Sequence, residues 1–253
     1  MPRRFEVDRL AVEVHVTRRE MGAAAARRAA GILRTAIEQD GKAALVLAAA
    51  PSQNEFLEAL CAQPEVDWRC VTAFHMDEYA EIRAEHPASF RNYLRERIAE
   101  RVTLAAFHEI RGDAADLDVE CERYANLLSA AQPVLVAMGI GENGHLAFID
   151  PDECNFSDPR DVRIVNLDQA CRAQQVHDGC FGRIEDVPRR AISLTIPFFL
   201  RVPHAVVCVP GERKRDAVRA ALSGPVEERC PASALRRHPD ATLFLDADAA
   251  GLL

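Results

Sequence analysis

The sequence predicts an α/β fold, with a single domain built on an open, mostly parallel sheet flanked by helices. Short apolar segments alternate with longer segments of helical periodicity, which is typical of a parallel sheet with helical crossovers. About half of the 253 residues (49%) are hydrophobic, enough to bury a sizeable core. No internal repeat and no linker rich in glycine, proline or serine divides the chain. One domain over residues 1–253 is therefore predicted.

The predicted strands are of two kinds. The first, Leu10–Thr17, alternates apolar and polar residues, which suits a strand with one buried face. The others are short and rich in apolar residues, as strands buried on both faces are. They lie at residues 43–50, 69–76, 133–141, 191–196, 204–211 and 241–246.

The predicted helices carry recognisable start and stop signals. Thr17 and Glu20 have capping-box spacing at the start of a long helix, and Gly41 is suited to end it. Pro87 suits the first turn of another helix, and Gly224 closes a later one. The helices after the first are predicted at residues 52–63, 86–102, 116–131 and 212–224.

Composition and charge argue against several classes of protein. The formal net charge is −8 and the chain has no block of lysine or arginine, so no nucleic-acid partner is predicted. No apolar run approaches the ~18 residues of a membrane span, and the first residues lack the apolar segment of a secretion signal. The eight cysteines form no CxxC pair, so reduced thiols in the cytoplasm are expected rather than a zinc site.

Polar residues follow four of the predicted strands, at the strand ends where open parallel sheets bind ligands. Asp77 follows one strand, His145 lies on a glycine-flanked turn after another, and Ser52 lies in the turn "AAAPSQ". Lys214 lies in the first turn of a helix, where a cation opposes the helix dipole unless an anion binds beside it. Together these residues predict a pocket for an anionic small molecule, with a carboxylate and an imidazole for proton transfer.

Each of these residues also has a purely structural explanation. Asp77 and Ser52 suit helix caps or turns, His145 suits a hydrogen bond to the backbone, and Lys214 suits a solvated surface. A metal held by His75, Asp77 and His145 is a further alternative, although an unligated histidine is favoured. Neither a metal nor an organic cofactor is predicted.

Two segments carry a more specific signal. "FHMDEYAEIRAEHPASFRNYL" and "GIGENGHLAFIDP" resemble the glucosamine-6-phosphate deaminase/isomerase family, and the similarity runs from about residue 20 to the C-terminus. The related 6-phosphogluconolactonases share the GxxGH turn but usually have Asp-Glu-Arg in place of Asp77-Glu78-Tyr79. The resemblance implies a Rossmann-like fold. It also implies an enzyme that opens an amino-sugar phosphate ring, moves a proton between carbons 1 and 2, and releases ammonia to leave a ketose phosphate.

The resemblance also implies a role for individual residues. Asp77 matches the base that moves the proton, and His145 matches the group that opens the ring. Asp150 matches a family glutamate that orients this histidine, Asn143 matches an aspartate of the same relay, and Lys214 matches a lysine that binds the phosphate. The further residues of the predicted substrate and phosphate site are Ala49, Ala50, Ser52, Gln53, Glu78 and Arg172.

The sequence departs from the family pattern at several of these positions. Asn143 is neutral and cannot stabilise an imidazolium by charge, and Asp150 is one methylene shorter than glutamate. The turn "AAAPSQ" has no glycine, and Pro51 lacks an N–H donor. The arginine of the family's lid matches either Arg172 or Arg183.

Three functions therefore remain open. The first is the deaminase/isomerase activity on a sugar phosphate. The second is hydrolysis of a sugar lactone, in the manner of 6-phosphogluconolactonase, or isomerisation of a different sugar. The third is a non-catalytic regulator that binds a sugar phosphate. A homo-oligomer is one option for the assembly, because relatives are often oligomeric.

Overall fold

The computed structural model describes residues 2–253 of the chain and contains two β-sheets. The strands are β1 (Arg3–Val7), β2 (Leu10–His15), β3 (Ala43–Leu47), β4 (Val71–His75), β5 (Asp77–Tyr79), β6 (Ala106–His108), β7 (Leu135–Met138), β8 (Val162–Asn166), β9 (Arg190–Leu194), β10 (His204–Val209) and β11 (Ala241–Asp246). The main sheet has eight strands in the order β1-β2-β11-β10-β7-β3-β4-β6. All its neighbouring strands are parallel except the β1–β2 hairpin.

The second sheet is small and antiparallel, with the order β5-β9-β8. The predicted strand at residues 191–196 belongs to this sheet and not to the main one. Asp77 pairs with Ser193 across it, so the second sheet fixes the backbone directly after β4. The prediction of one open, mostly parallel sheet is confirmed for the main sheet, and the second sheet is an addition to it.

The helices lie between the strands, as the sequence predicts. They are α1 (Arg18–Asp40), α2 (Asn54–Cys61), α3 (Phe90–Leu94), α4 (Leu117–Ala131), α5 (Gln169–His177), α6 (Ile196–Arg201) and α7 (Arg215–Ser223). The predicted capping of α1 is confirmed, because the Thr17 side chain accepts a hydrogen bond from the Glu20 N–H and Gly41 ends the helix at φ 71°. The helix predicted from residue 86 begins only at α3, where Ser89 is the N-cap, and continues as a π-helical turn over Arg95–Ala99.

The core lies where α1 packs against α2 and the main sheet. The inward face of α1 consists largely of alanines, among them Ala25, Ala26 and Ala29, which allow the helix to lie close to the strands. Gly22 is required at the crossing with α2, because a Cβ there would lie 2.7 Å from the carbonyl carbon of Glu55. Nearly all the remaining buried hydrophobic residues join the same core cluster.

Two further features of the described chain bear on its environment. All eight cysteines are free thiols. Within residues 2–253, no helix combines the length and the hydrophobicity that a membrane crossing requires.

Candidate active site

A pocket with an empty volume of about 550 Å³, open to solvent on one side, lies at the carboxyl ends of β3, β4, β7 and β10. These parallel strands end at the same edge of the sheet, so the segments that follow them converge there. Its lining includes most of the predicted site residues: Ala49, Ala50, Ser52, Gln53, Asp77, His145 and Lys214. The structure thus brings together the carboxylate, the imidazole and the lysine that the sequence singles out.

Asp77 lines this pocket and has a buried, unpaired carboxylate oxygen. The residue is only 6% exposed, and its Oδ1 has no hydrogen-bond partner among residues 2–253. Burial raises the pKa of the carboxyl well above its usual range, and the neighbouring charge of Glu78 raises it further. A buried carboxylate with a raised pKa and a free oxygen is a strong proton acceptor.

His75 lies behind Asp77 and does not line the pocket. Its Nδ1 is 2.8 Å from the Asp77 carbonyl oxygen, and its Nε2 is 2.8 Å from the Ile110 N–H, which donates to it. The ring is therefore neutral with its proton on Nδ1, and burial lowers its pKa to about 3. Because both ring nitrogens are used, the alternative of a metal held jointly with Asp77 and His145 is not supported.

The turn after β7 fits His145 closely. Gly141 donates its N–H to the His145 carbonyl oxygen at 2.9 Å, and a Cβ at Gly141 would lie 2.2 Å from the imidazole ring. Gly144 has φ 88°, a left-handed conformation that favours glycine. Both glycines of the GxxGH motif are therefore needed to fold the turn beneath the histidine.

Asp150 and Asn143 hold His145 from behind the pocket. Asp150 Oδ1 lies 3.1 Å from His145 Nδ1 and accepts a hydrogen bond from Asn143 Nδ2 at 3.0 Å. Asn143 Oδ1 accepts the His145 backbone N–H at 3.1 Å. Burial alone would raise the pKa of Asp150, but the hydrogen bonds and charge of its neighbours outweigh burial and lower it. The shorter aspartate side chain thus reaches His145 directly.

Lys214 reaches the pocket from the opposite side. It lies in the 3₁₀ turn Glu212–Lys214 before α7 and is 9% exposed, and within residues 2–253 it has no ion pair within 4.0 Å. Burial lowers the pKa of its ammonium group, while the charges of Asp178 and Glu142 oppose that shift. Because a buried ammonium without a partner is costly, a bound anion would stabilise it.

Gln53 lines the pocket and has an unpaired hydrogen-bond acceptor. Its Nε2 donates to the Cys208 carbonyl oxygen and to Ser52 Oγ, both at 3.1 Å, which fixes the orientation of the amide. Its Oε1 is buried and has no partner among the described residues. An acceptor of this kind suits a sugar hydroxyl better than the phosphate that the sequence associates with this turn.

Besides Asn143 and Asp150, two more predicted residues do not line the pocket, namely Glu78 and Arg172. Glu78 is fully buried and accepts hydrogen bonds from Ser89 Oγ at 2.8 Å and from the Arg91 N–H at 3.0 Å, so it anchors the start of α3. Arg172 donates to the carbonyl oxygens of Ile184 and Val187 and thereby fastens α5 to the segment before β9. The other lid candidate, Arg183, is exposed and pairs with Asp186.

Helix α5 contributes pocket residues that the sequence interpretation missed. We call it the lid helix, because it carries Arg172, one of the two residues matched to the arginine of the family's lid. Gln174, Gln175 and Asp178 line the pocket. Gln175 accepts a hydrogen bond from the Tyr79 hydroxyl at 2.6 Å, and Gln174 accepts the Glu142 N–H at 2.8 Å. The signal available in the sequence is the pair of adjacent long amides, Gln174 and Gln175.

One group of potential metal ligands occurs within residues 2–253, formed by His145, Asp150 and Cys171. Burial raises the pKa of the Cys171 thiol well above its usual range, which disfavours the thiolate that metals bind. Asp150 already contacts His145 and Asn143, and a metal would displace those contacts.

Comparison with known proteins finds a family model and a relative that each match most of the chain. The model of the family described as glucosamine-6-phosphate isomerases/6-phosphogluconolactonase matches residues 16–244. A glucosamine-6-phosphate deaminase of Listeria monocytogenes serotype 4a is 33% identical over 202 residues, covering 80% of this chain and 84% of the relative.

Two solved structures are similar over nearly the whole chain. A monomeric glucosamine-6-phosphate deaminase superposes with a TM-score of 0.88 at 28% identity, covering 96% of this chain and 99% of the other. A 6-phosphogluconolactonase from Shewanella baltica has a TM-score of 0.80 at 19% identity and covers 96% of this chain and all (100%) of its own, a likeness that concerns the fold alone.

Proposed function

The chain belongs to the glucosamine-6-phosphate isomerase/6-phosphogluconolactonase family, and we propose that it is a deaminase of that family. It would convert an amino-sugar phosphate and water to a ketose phosphate and ammonia. The observation that carries the proposal is the free carboxylate oxygen of Asp77 in the same pocket as His145 and Lys214. The similarity to deaminases in both sequence and structure supports it.

In this proposal His145 opens the sugar ring. The imidazole takes the proton from the hydroxyl on carbon 1 and delivers it to the ring oxygen, which leaves an open-chain aldehyde. Asp150, beside Nδ1, stabilises the transient imidazolium. The histidine therefore has a charged partner even though Asn143 is neutral. The 3.1 Å distance between His145 Nδ1 and Asp150 Oδ1 supports this role.

Asp77 then moves the proton between carbons 1 and 2. The carbon 2 proton is acidified by the adjacent aldehyde, and the raised pKa of Asp77 makes its carboxylate a better base. Return of the proton to carbon 1 leaves an imine at carbon 2. Addition of water to the imine and loss of ammonia give the ketose, so one water is consumed for each ammonia released.

Lys214 and Gln53 divide the recognition of the substrate. The ammonium group of Lys214 would pair with the phosphate, and the unpaired Oε1 of Gln53 would accept a hydroxyl hydrogen bond from the sugar. Ala49, Ala50 and Ser52 would form the floor of the pocket at the start of α2. These steps use only protein side chains and water.

We also propose that the chain functions as one catalytic domain in the cytoplasm. Buried residues along the chain join one core cluster, and the eight free cysteines suit a reducing compartment.

The proposal is tested by incubating the purified protein with glucosamine 6-phosphate and measuring ammonia and fructose 6-phosphate together. We expect both products in equal amounts.

Lys214→Met should raise KM for the phosphorylated substrate by about tenfold or more, since a hydrogen-bonded charge pair contributes ~1.5–3 kcal/mol.

A parallel assay with 6-phosphogluconolactone provides the contrast. Hydrolysis of the lactone without ammonia release from the amino sugar would overturn the proposal in favour of a lactonase. Binding of sugar phosphates without turnover of either compound would instead indicate a binding protein. Arg219→Met, at an exposed position on α7, is the matched control for Lys214 and should leave KM unchanged.

A further inference from the structure

Asp168, at the start of the lid helix, belongs to the hydrogen-bond network behind His145. One oxygen of its carboxylate caps α5 by accepting the Cys171 N–H at 2.6 Å. The other oxygen accepts a hydrogen bond from Asn143 Nδ2 at 3.0 Å. Its backbone N–H donates to Asp150 Oδ2, also at 3.0 Å. Asp168 therefore contacts both residues that hold the histidine.

This network uses every hydrogen-bonding group of the Asn143 side chain. The amide nitrogen donates one hydrogen to Asp150 and one to Asp168, and the amide oxygen accepts the His145 N–H. The two carboxylates can accept hydrogen bonds but cannot donate them when ionised. An amide is therefore the side chain that fits between them, with only one possible orientation.

The same arrangement explains why position 143 is neutral in this chain. An aspartate there would place a third carboxylate against Asp150 and Asp168, and one of the three would have to bind a proton. With Asn143 the network keeps its negative charges on the two flanking residues.

We propose that Asp168 is a positioning residue for His145, acting through Asn143 and Asp150 to tie the lid helix to the orientation of the imidazole. This proposal rests on the proposed function, because His145 is taken to open the sugar ring. The lid helix carries Gln174 and Gln175 into the pocket, so its capping residue links the pocket wall to the histidine.

Asp168→Ser separates the two tasks of this carboxylate. Serine caps a helix about as well as aspartate, so α5 keeps its cap, and the backbone bond to Asp150 is unaffected. The serine hydroxyl is too short to reach Asn143 as well. We expect kcat for ammonia release to fall by about tenfold, the effect of losing one hydrogen bond to a charged group, with KM nearly unchanged.

A double-mutant cycle tests whether Asp168 acts through Asn143. In an Asn143→Ala background, Asp168→Ser should cause almost no additional loss of kcat. The same tenfold loss in both backgrounds, or an unchanged kcat in the single variant, would overturn the proposal. Asp116→Ser is the matched control, because Asp116 caps α4 in the same way and does not line the pocket.

A measurement without substrate separates this proposal from the proposed function. Spectra of ¹⁵N-histidine-labelled protein should show the His145 ring in one tautomer, with the Nδ1 proton facing Asp150, and a mixture of tautomers in Asp168→Ser. His145→Asn assigns the signal. Identical spectra for the wild type and Asp168→Ser would contradict the positioning role. Absence of ammonia release by the wild type would contradict the proposed function alone.

Discussion

Asp77 and Glu78 are adjacent carboxylates with opposite environments. Alternation along β5 turns neighbouring side chains to opposite sides of the strand. Asp77 faces the pocket with an unpaired oxygen, whereas Glu78 faces the protein interior and has partners on both oxygens. Burial raises the pKa of both groups, although hydrogen bonds from the start of α3 counteract the shift for Glu78. The free carboxylate is therefore the reactive one.

Replacing Asp77 with asparagine should remove activity and increase stability. Loss of the base should lower kcat by about 10²- to 10⁴-fold. Because the folded-state pKa of Asp77 lies above the usual value of 3.8, its stabilising contribution is complete below that pH and is lost as the pH rises through the folded-state pKa. Asp77→Asn should therefore unfold at higher urea concentration than the wild type at pH 8.

The control for this prediction is Asp216→Asn, which changes an exposed carboxylate on α7. It should alter neither ammonia release nor the urea midpoint. If Asp77→Asn retained wild-type turnover, Asp77 would not be the base. A lower urea midpoint for Asp77→Asn at pH 8 would contradict the predicted burial penalty.

At the level of elements, Glu78 fixes the start of α3 and so the position of Phe90, which lines the pocket. Glu78→Gln keeps the size of the side chain but weakens its hydrogen bonds with Ser89 and Arg91. Arg91 keeps its ion pair with Asp113, but buried donors that now point at an amide NH₂ lose their acceptor, which typically costs ~1–3 kcal/mol. We therefore expect a loss of about 2 kcal/mol in the free energy of unfolding. Urea denaturation at neutral pH provides the measurement.

Glu81→Gln is the matched control for this change. Glu81 forms an exposed ion pair with Arg190, and such pairs contribute little to stability. The two variants should therefore differ by more than about 1 kcal/mol in the free energy of unfolding. Similar stabilities would mean that Glu78 does not anchor α3.

The elements that the sequence predicts well are those with local signals. Thr17, Glu20 and Gly41 determine both ends of α1 without reference to the rest of the chain. The second sheet has no such signal, because its strands are three to five residues long and pair segments that lie far apart in sequence. The late start of α3 likewise depends on Glu78, a contact that spacing alone does not reveal.

The same distinction applies to the site. The residues beside strand ends, such as Asp77, His145 and Lys214, could be predicted because a parallel sheet brings strand ends together. The pocket residues of the lid helix could not be predicted in this way, because the packing of α5 decides which of its side chains face the pocket. Gln175 lines the pocket, whereas Arg172 binds backbone carbonyl oxygens outside it. Spacing alone does not distinguish the two, because residues three apart share a helix face.

For the whole molecule, His75 links the site to stability at acidic pH. It lies at the centre of the buried contacts between β4, the segment after it and the β6–α4 connection. Burial, helped by the charges of Arg91 and Arg95, lowers its pKa from 6.5 to about 3. Below pH 6.5 the unfolded chain therefore binds a proton at His75, whereas the folded protein binds that proton only near pH 3.

The sign of the effect follows from proton binding. Between pH 6.5 and about 3 the unfolded state holds more protons at His75 than the folded state does, so stability falls as the pH falls. One pKa unit corresponds to ~1.4 kcal/mol, so lowering the pH from 6.5 to 5 should cost about 2 kcal/mol from this group. Asp77 acts in the opposite direction over acidic pH, so the two contributions must be measured separately.

Comparison of the wild type with His75→Gln isolates the histidine, because every other titrating group is present in both. Glutamine retains a donor and an acceptor, but it costs stability at pH 7 because the ring contacts with Tyr124 and Phe107 are lost. The difference in unfolding free energy between the two proteins should shrink by about 2 kcal/mol from pH 7 to pH 5. Urea denaturation at several pH values would measure it, and a constant difference would mean that His75 is not held neutral in the folded protein.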